Sequence, residues 1–220
     1  MSEVTITVRG EHETRVAPEE AVAHISVRAE GPERGAVVER IAAVAAPLRE
    51  DLASRKDAGG LSEWSSQRVS IWANRPWNNE GKQLALVHYA AVEITATFTD
   101  FAVLSWWLSD VAERDGVQID SVNWRLTSAS ASSTEAEVAA QAVKVAVDRA
   151  TAYASAIGLG TVVPLEIADL GLLTDASAGP SAAPKMMRAM AMDSSGGPAV
   201  GMQPEDIVVT AAVEARFLAR

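Results

Sequence analysis

The methionine-rich stretch at residues 184–193, PKMMRAMAMD, holds the side chains best suited to soft-metal chemistry. Thioether sulfurs are good ligands for Cu(I), so four converging methionines would form a copper site. Flexible methionines also make adaptable apolar contacts with protein partners. A third interpretation is a flexible insert at about residues 174–204, because its proline and glycine content cannot build a core. The sequence leaves all three interpretations open for Met186, Met187, Met190 and Met192.

Tryptophan supplies six of the eleven aromatic residues and indicates a second candidate surface. Trp72 alternates with Val69 and Ile71, so it faces the other side of a predicted strand, and Trp77 approaches a polar turn. Exposed tryptophan beside arginine is typical of protein interfaces. We therefore expect Trp72 and Trp77 at an interface, with core packing as the open alternative. Trp107 and Trp124 are interpreted as core residues.

Patterns of catalytic residues and of a zinc site are absent from the sequence. His12, His24 and His88 are isolated, and the chain has no cysteine and no Gly-x-Ser-x-Gly turn. We therefore expect no enzyme activity, no catalytic residue, no metal site and no cofactor; an unrecognised hydrolase is the least supported alternative. The net charge of −10 opposes a polyanion, which argues against nucleic acid as a partner.

The elements that would position these residues are strands and helices in alternation. Alternating apolar residues predict strands from the N-terminus onward, including one long strand from Leu84 to Phe98 that bends or bulges. Asn78 to Gly81 predict the turn of a hairpin before that strand. Hairpins favour antiparallel or mixed sheets, so the fold class is α+β.

Local signals predict where these elements begin, end or bend. Gly10 is predicted to end the first strand, and Pro47 to kink or divide the first helix. Asp100 is suited to cap the second helix, and a change of apolar parity predicts a bulge near Asp120. A third helix is predicted over about residues 134–157, with Ser132 and Glu135 as a capping box and Gly158 after its end. Its predicted apolar stripe includes Tyr153 and Ile157.

Four segments in this order resemble the SIMPL domain family. They are ITVRGEHETRVAPEEAVAHISVRAEG near the N-terminus, the alanine-rich AEVAAQAVKVAVDRATAYASAIGLG, and the closing strands VVPLEIADLG and MQPEDIVVTAAVEARFLA. His12 stands where the family pattern has a second glycine. The resemblance covers almost the whole chain. It implies one domain over residues 1–220, with a ββαββ unit followed by α-β-α-β-β.

The resemblance also implies a class of function. Bacterial members of the family are mostly envelope proteins, some form ring-like or channel-like oligomers, and roles in oxidative-stress tolerance have been proposed for them. A eukaryotic relative is an adaptor for a signalling kinase, and no catalytic residues are established. We therefore expect a non-enzymatic domain that forms homo-oligomers or binds a protein. The alternative is a stress protein that binds a small molecule or Cu(I) through the methionines.

The expected location follows from the N-terminal residues. Met1–Gly10 carry an acid and alternate like a strand, unlike a signal peptide, and no apolar run approaches the roughly 20 residues of a membrane span. A cytoplasmic location without transmembrane segments is the expectation; a leader removed beforehand would place the protein in the periplasm or envelope.

Overall fold

The structure, a computed structural model, describes residues 3–173 and 203–220. In these ranges seven strands and three helices follow the predicted order ββαββ-α-β-α-β-β. They are β1 (Val4–Val16), β2 (Glu20–Gly31), α1 (Arg34–Asp57), β3 (Glu63–Asn74), β4 (Val87–Phe98), α2 (Phe101–Ala112), β5 (Val117–Arg125), α3 (Ser128–Ala156), β6 (Val162–Asp169) and β7 (Ile207–Ala219). The α+β fold class is thereby confirmed.

The described elements divide between two compact units, each with its own sheet and core. The three-stranded unit contains β1, α3, β6 and β7, and the four-stranded unit contains β2, α1, β3, β4, α2 and β5. All strand pairs of both sheets are antiparallel. That the whole chain behaves as one domain stays a prediction.

The four-stranded unit is a β-α-β-β-α-β arrangement with strand order β3-β4-β2-β5. The helix α1 connects β2 to β3, and β4 lies between these two strands, which is the split β-α-β arrangement of ferredoxin-like domains. Alternate residues of β2 and β4 form the core beneath α1 and α2, because successive side chains of a strand point to opposite faces. The fully buried strand residues are Ala21, Ala23, Ile25 and Val27 in β2, and Ala90, Val92, Ile94, Ala96 and Phe98 in β4.

The three-stranded unit has the order β1-β7-β6, and α3 covers one face of this sheet. The helix presents a row of small residues to the sheet: Ala142, Ala146, Ala150 and Ala154. Small side chains allow the helix backbone to come close to β1. At the point of closest approach β1 has Gly10, where a β-carbon would overlap the Ala142 carbonyl oxygen and lie 2.7 Å from the Ala146 nitrogen.

Several local signals of the sequence are confirmed. Asp100 caps α2, because its Oδ1 accepts hydrogen bonds from the Ala102 and Val103 amides at 2.9 and 3.1 Å. Gly158 follows α3 with φ +79, the left-handed conformation expected after a helix. The bulge at Asp120 is present: Ser121 faces His24 and Ile119 faces Ile25, so no residue of β2 faces Asp120 in the strand register.

Other signals were misread where tertiary packing decides the outcome. Gly10 does not end the first strand but lies inside the 13-residue β1, since its role is close approach to α3. Pro47 does not divide α1, which continues from Arg34 to Asp57 with buried residues on both sides of the proline, and the kink that was the other expected effect stays a prediction. The strand predicted from Leu84 begins at Val87 and keeps regular pairing; the bulge lies in its partner β3, between Ser65 and Arg68.

The limits and the buried face of α3 also differ from the prediction. The helix begins at Ser128, capped by the Thr127 side chain, so Ser132 and Glu135 lie inside the helix and form no capping box at its start. Tyr153 and Ile157 are exposed, because the helix turns its alanine row to the sheet and these larger residues lie outside that row.

Replacing Gly10 by alanine is expected to destabilise the protein. The added methyl group meets helix backbone, which cannot move aside as a flexible side chain would, so we expect a loss of about 2–3 kcal/mol in the free energy of unfolding. Urea denaturation followed by circular dichroism measures this loss.

The matched control is Gly35→Ala in α1, where an added β-carbon meets no atom within 4 Å. Alanine favours a helix over glycine by roughly 0.5–1 kcal/mol, so this variant should be as stable as the unmodified chain or more so. Equal losses in the two variants would contradict the close-approach role of Gly10.

Candidate interaction surface on the β3–β4 hairpin

The β3–β4 hairpin carries both tryptophans that are predicted to lie at an interface. Its loop is organised by Asn78, whose Oδ1 accepts hydrogen bonds from the amides of Glu80 and Lys82 at 3.1 and 2.7 Å. The Gly81 amide donates to the Asn78 carbonyl at 3.1 Å, and Gly81 has φ +74, which favours glycine. The predicted turn is therefore confirmed, and it places Trp77 opposite Gln83.

Trp72 lies on the face of the sheet that α1 and α2 leave uncovered. It pairs directly with Tyr89 on β4, and the two rings stack with centroids 5.4 Å apart and planes 13° from parallel. The residue is nevertheless 47% exposed. Stacking between neighbouring strands occupies one face of the indole ring, so the opposite face is turned toward the free edge of β3.

Apolar side chains are exposed on both faces of this hairpin. Val69 and Ile71 pair with the core residues Val92 and Ala90, yet they are 54% and 42% exposed. Trp77 is 67% exposed at the loop. We call the exposed apolar set the hairpin surface: Val69, Ile71, Trp72, Trp77, Leu84 and Leu86.

The outer edge of β3 is unpaired within the described part of the chain. β3 is the first strand of its sheet and pairs with β4 alone. No described residue accepts or donates a backbone hydrogen bond on the outer side of residues 68–74. Arg68 lies on the same face as Trp72 and forms an exposed ion pair with Glu93 at 3.4 Å. A free edge with apolar side chains is a place where another strand can add.

The other tryptophans follow the core interpretation to different degrees. Trp107 is 1% exposed, packs against Phe98 and donates a 2.8 Å hydrogen bond from its ring nitrogen to Asp51. Trp124 is partly buried and meets Phe101 edge to face, with centroids 4.8 Å apart.

The histidines do not converge within the four-stranded sheet. His24 pairs with Thr95, whereas His88 pairs with Gly31, seven residues further along β2. That separation is roughly 23 Å at the rise of a strand, and the two side chains point to opposite faces. His12 pairs with Ala211 in the other unit. In residues 3–173 and 203–220, no group of three or more His, Asp or Glu side chains is placed to hold a metal ion.

The four methionines assigned to an interface or to Cu(I), Met186, Met187, Met190 and Met192, lie outside the described residues. Both interpretations therefore stay predictions. Among the described helices, none combines the length and the apolar character that crossing a bilayer requires.

Three features of the hairpin surface were missed in the sequence: Tyr89 as the stacking partner, and the exposure of Val69 and Ile71. Alternation alone assigns Val69 and Ile71 to a core face, since it does not say how far a helix extends over a strand. The pairing of Trp72 with Tyr89 depends on the strand register, and the register can be derived only when both the turn at Asn78 and the length of the loop are known.

These features define an α+β protein with two antiparallel sheets and an exposed aromatic hairpin. The sequence profile of the family described as SIMPL, a protein of unknown function (DUF541), matches residues 6–217. The chain therefore belongs to the SIMPL family. The match begins on β1 and ends on β7, both in the three-stranded unit, and it includes the four-stranded unit that lies between them in sequence. No curated protein sequence matches the chain.

Trp72 and Trp107 should differ sharply in their contribution to stability. Trp107→Ala removes a fully buried ring and is expected to lower the free energy of unfolding by about 4 kcal/mol. Trp72→Ala removes a half-exposed ring with one stacking partner, which corresponds to about 1 kcal/mol. Urea unfolding at a low protein concentration compares the two, and a larger loss for Trp72→Ala would place that residue in the core.

Proposed function

We propose that this chain is a non-enzymatic SIMPL domain that self-associates, and that the hairpin surface is where one copy binds another. The observation that carries the proposal is the exposure of Trp72 and Trp77 beside Val69 and Ile71 on a strand with a free edge. Large aromatic residues contribute more binding energy than other residues at protein interfaces. Burying them against a second copy removes apolar area from water, which stabilises the assembly.

A second copy is favoured over an unrelated partner because the edge of β3 is complementary to itself. Its regular part carries apolar residues, an arginine and an aromatic ring within seven positions, and no carboxylate. When two such edges lie antiparallel, the arginine of one copy can face the aromatic ring of the other. Twofold symmetry then repeats every favourable contact, as in most homodimers.

The non-enzymatic part of the proposal is supported by the separation of the groups that could do chemistry. His24 and His88 lie on opposite faces of one sheet and far apart along it. The serines of the segment SASASS at residues 128–133, the densest group of hydroxyls, lie in the first turns of α3. The family resemblance implies a role in oxidative-stress tolerance, and we propose that role as the physiological purpose of the assembly.

Charge introduced into the hairpin surface should break the assembly. We expect the unmodified chain to be larger than a monomer by light scattering at micromolar concentration. Trp72→Glu and Trp77→Glu should each raise the dissociation constant by about 30-fold or more, because a carboxylate at a buried interface loses its hydration.

The control is Trp106→Glu in α2, because Trp106 is also a highly exposed tryptophan but lies on a helix away from β3. This variant should assemble within about threefold of the unmodified chain, a change of less than 1 kcal/mol. A monomeric unmodified chain, or equal effects of the glutamates at positions 72 and 106, would contradict the proposal.

A further inference from the structure

We infer that two copies join by antiparallel pairing of β3 with β3, centred on Ser70, so that two four-stranded sheets become one eight-stranded sheet. The inference rests on the proposed self-association and specifies its register. In this register two facing residues lie equally far before and after Ser70 in the sequence, as follows from a twofold axis at Ser70. Val69 then faces Ile71 of the second copy, and Arg68 faces Trp72 of the second copy.

The side of the sheet that carries α1 gains a continuous apolar row. Ala90 and Ile71 are neighbours across β4 and β3, as are Val92 and Val69. Joining Ile71 to Val69 of the second copy links these two pairs into one row across four strands. Val69 and Ile71, both about half exposed in the single chain, become interior to the joined sheet. Cross-strand pairs of β-branched residues stabilise antiparallel sheets.

The opposite side of the sheet gains a row of aromatic and charged groups. Trp72 stacks on Tyr89 with one ring face and turns the other toward the open edge, and Arg68 pairs with Glu93. In the joined sheet Arg68 of the second copy lies against that open ring face. A guanidinium over an indole is the favourable cation–π geometry, and the twofold axis produces it twice.

Neighbouring registers lack these pairings. Side chains that face each other in an antiparallel pair lie on the same side of the sheet. A twofold axis perpendicular to the sheet must therefore lie midway between the two copies of one residue. An axis at Val69 places Trp72 opposite Ser66 at the bulge, and an axis at Ile71 places Arg68 opposite Asn74. An axis at Arg68 places two guanidinium groups together. Ser70 is therefore the centre that matches apolar with apolar and cation with ring.

A disulfide across the axis tests the register, and the absence of cysteine from the chain removes background. Facing residues of antiparallel strands have α-carbons about 4.5–5.5 Å apart, within the range a disulfide spans. Under mild oxidation Ser70→Cys should form a covalent dimer. Ile71→Cys should not, because its symmetry mate is displaced along the strand by two residues, or about 7 Å. Gln118→Cys on β5, at the other edge of the sheet, should also stay monomeric on denaturing gels.

A mixed pair of variants extends the test. Arg68→Cys mixed with Trp72→Cys should give the heterodimer at a rate at least tenfold above either variant alone, since these positions face each other only between copies. Light scattering of the unmodified chain is measured alongside. Assembly without preferential cross-linking at position 70 overturns the register and leaves the proposed function standing. A monomer without cross-linking overturns both.

A double-mutant cycle reports on the cation–π contact without any cysteine. Arg68 and Trp72 are four residues apart on one strand, roughly 13 Å, so they do not touch within a copy. Arg68→Gln and Trp72→Leu should each raise the dissociation constant about tenfold, and the double variant should be no more than about threefold weaker than either single one. Strictly multiplicative effects would overturn the pairing of these two residues.

Discussion

The helix α3 can lie directly on the three-stranded sheet because residue 10 has no side chain. A β-carbon there would occupy the same space as the helix backbone at Ala142 and Ala146. The alanine row of α3 and the glycine of β1 therefore act as one contact, and it holds the central strand β7 beneath the helix. β1 and β7 lie near opposite ends of the sequence and pair along 13 residues. The contact with α3 therefore stabilises a unit whose parts are separated in sequence by the entire four-stranded unit. Loops of that length have a high closure entropy, which a dense helix–sheet contact helps to offset.

Features encoded by neighbouring residues could be read from the sequence. Asp100 caps α2 because its side chain reaches amides two and three positions away, and the parity change around Asp120 directly records an extra residue in β5. Gly10 shows where such reading fails. A glycine after an alternating segment is compatible with a turn or with close approach, and only the position of α3, far later in the sequence, decides between them. Leu84 and Leu86 continue an alternating pattern into a loop, because the hydrogen bonds of Asn78 set the loop length independently of apolar periodicity.

The candidate surface was predictable only where it depends on residues close together in sequence. Trp72 could be placed on the side opposite Val69 and Ile71 from alternation, and its exposure agrees with that placement. The stacking with Tyr89 depends on cross-strand register, and the exposure of Val69 depends on which elements pack over β3. Both are properties of pairs of elements. The surface therefore depends on how the strands pair and on how far the helices extend over them.

The two edges of the four-stranded sheet are unequal. β5 is the shorter edge strand, and its bulge turns Asp120 toward Ser26, whose hydroxyl donates to the carboxylate at 3.2 Å, with the Arg28 guanidinium 3.9 Å away. An irregular edge with a charged side chain disfavours the addition of another strand. In the proposed pairing, β3 of each copy is covered and β5 is left as the outer strand at both ends of the joined sheet. On this proposal the bulge at Asp120 disfavours growth of the joined sheet beyond two copies.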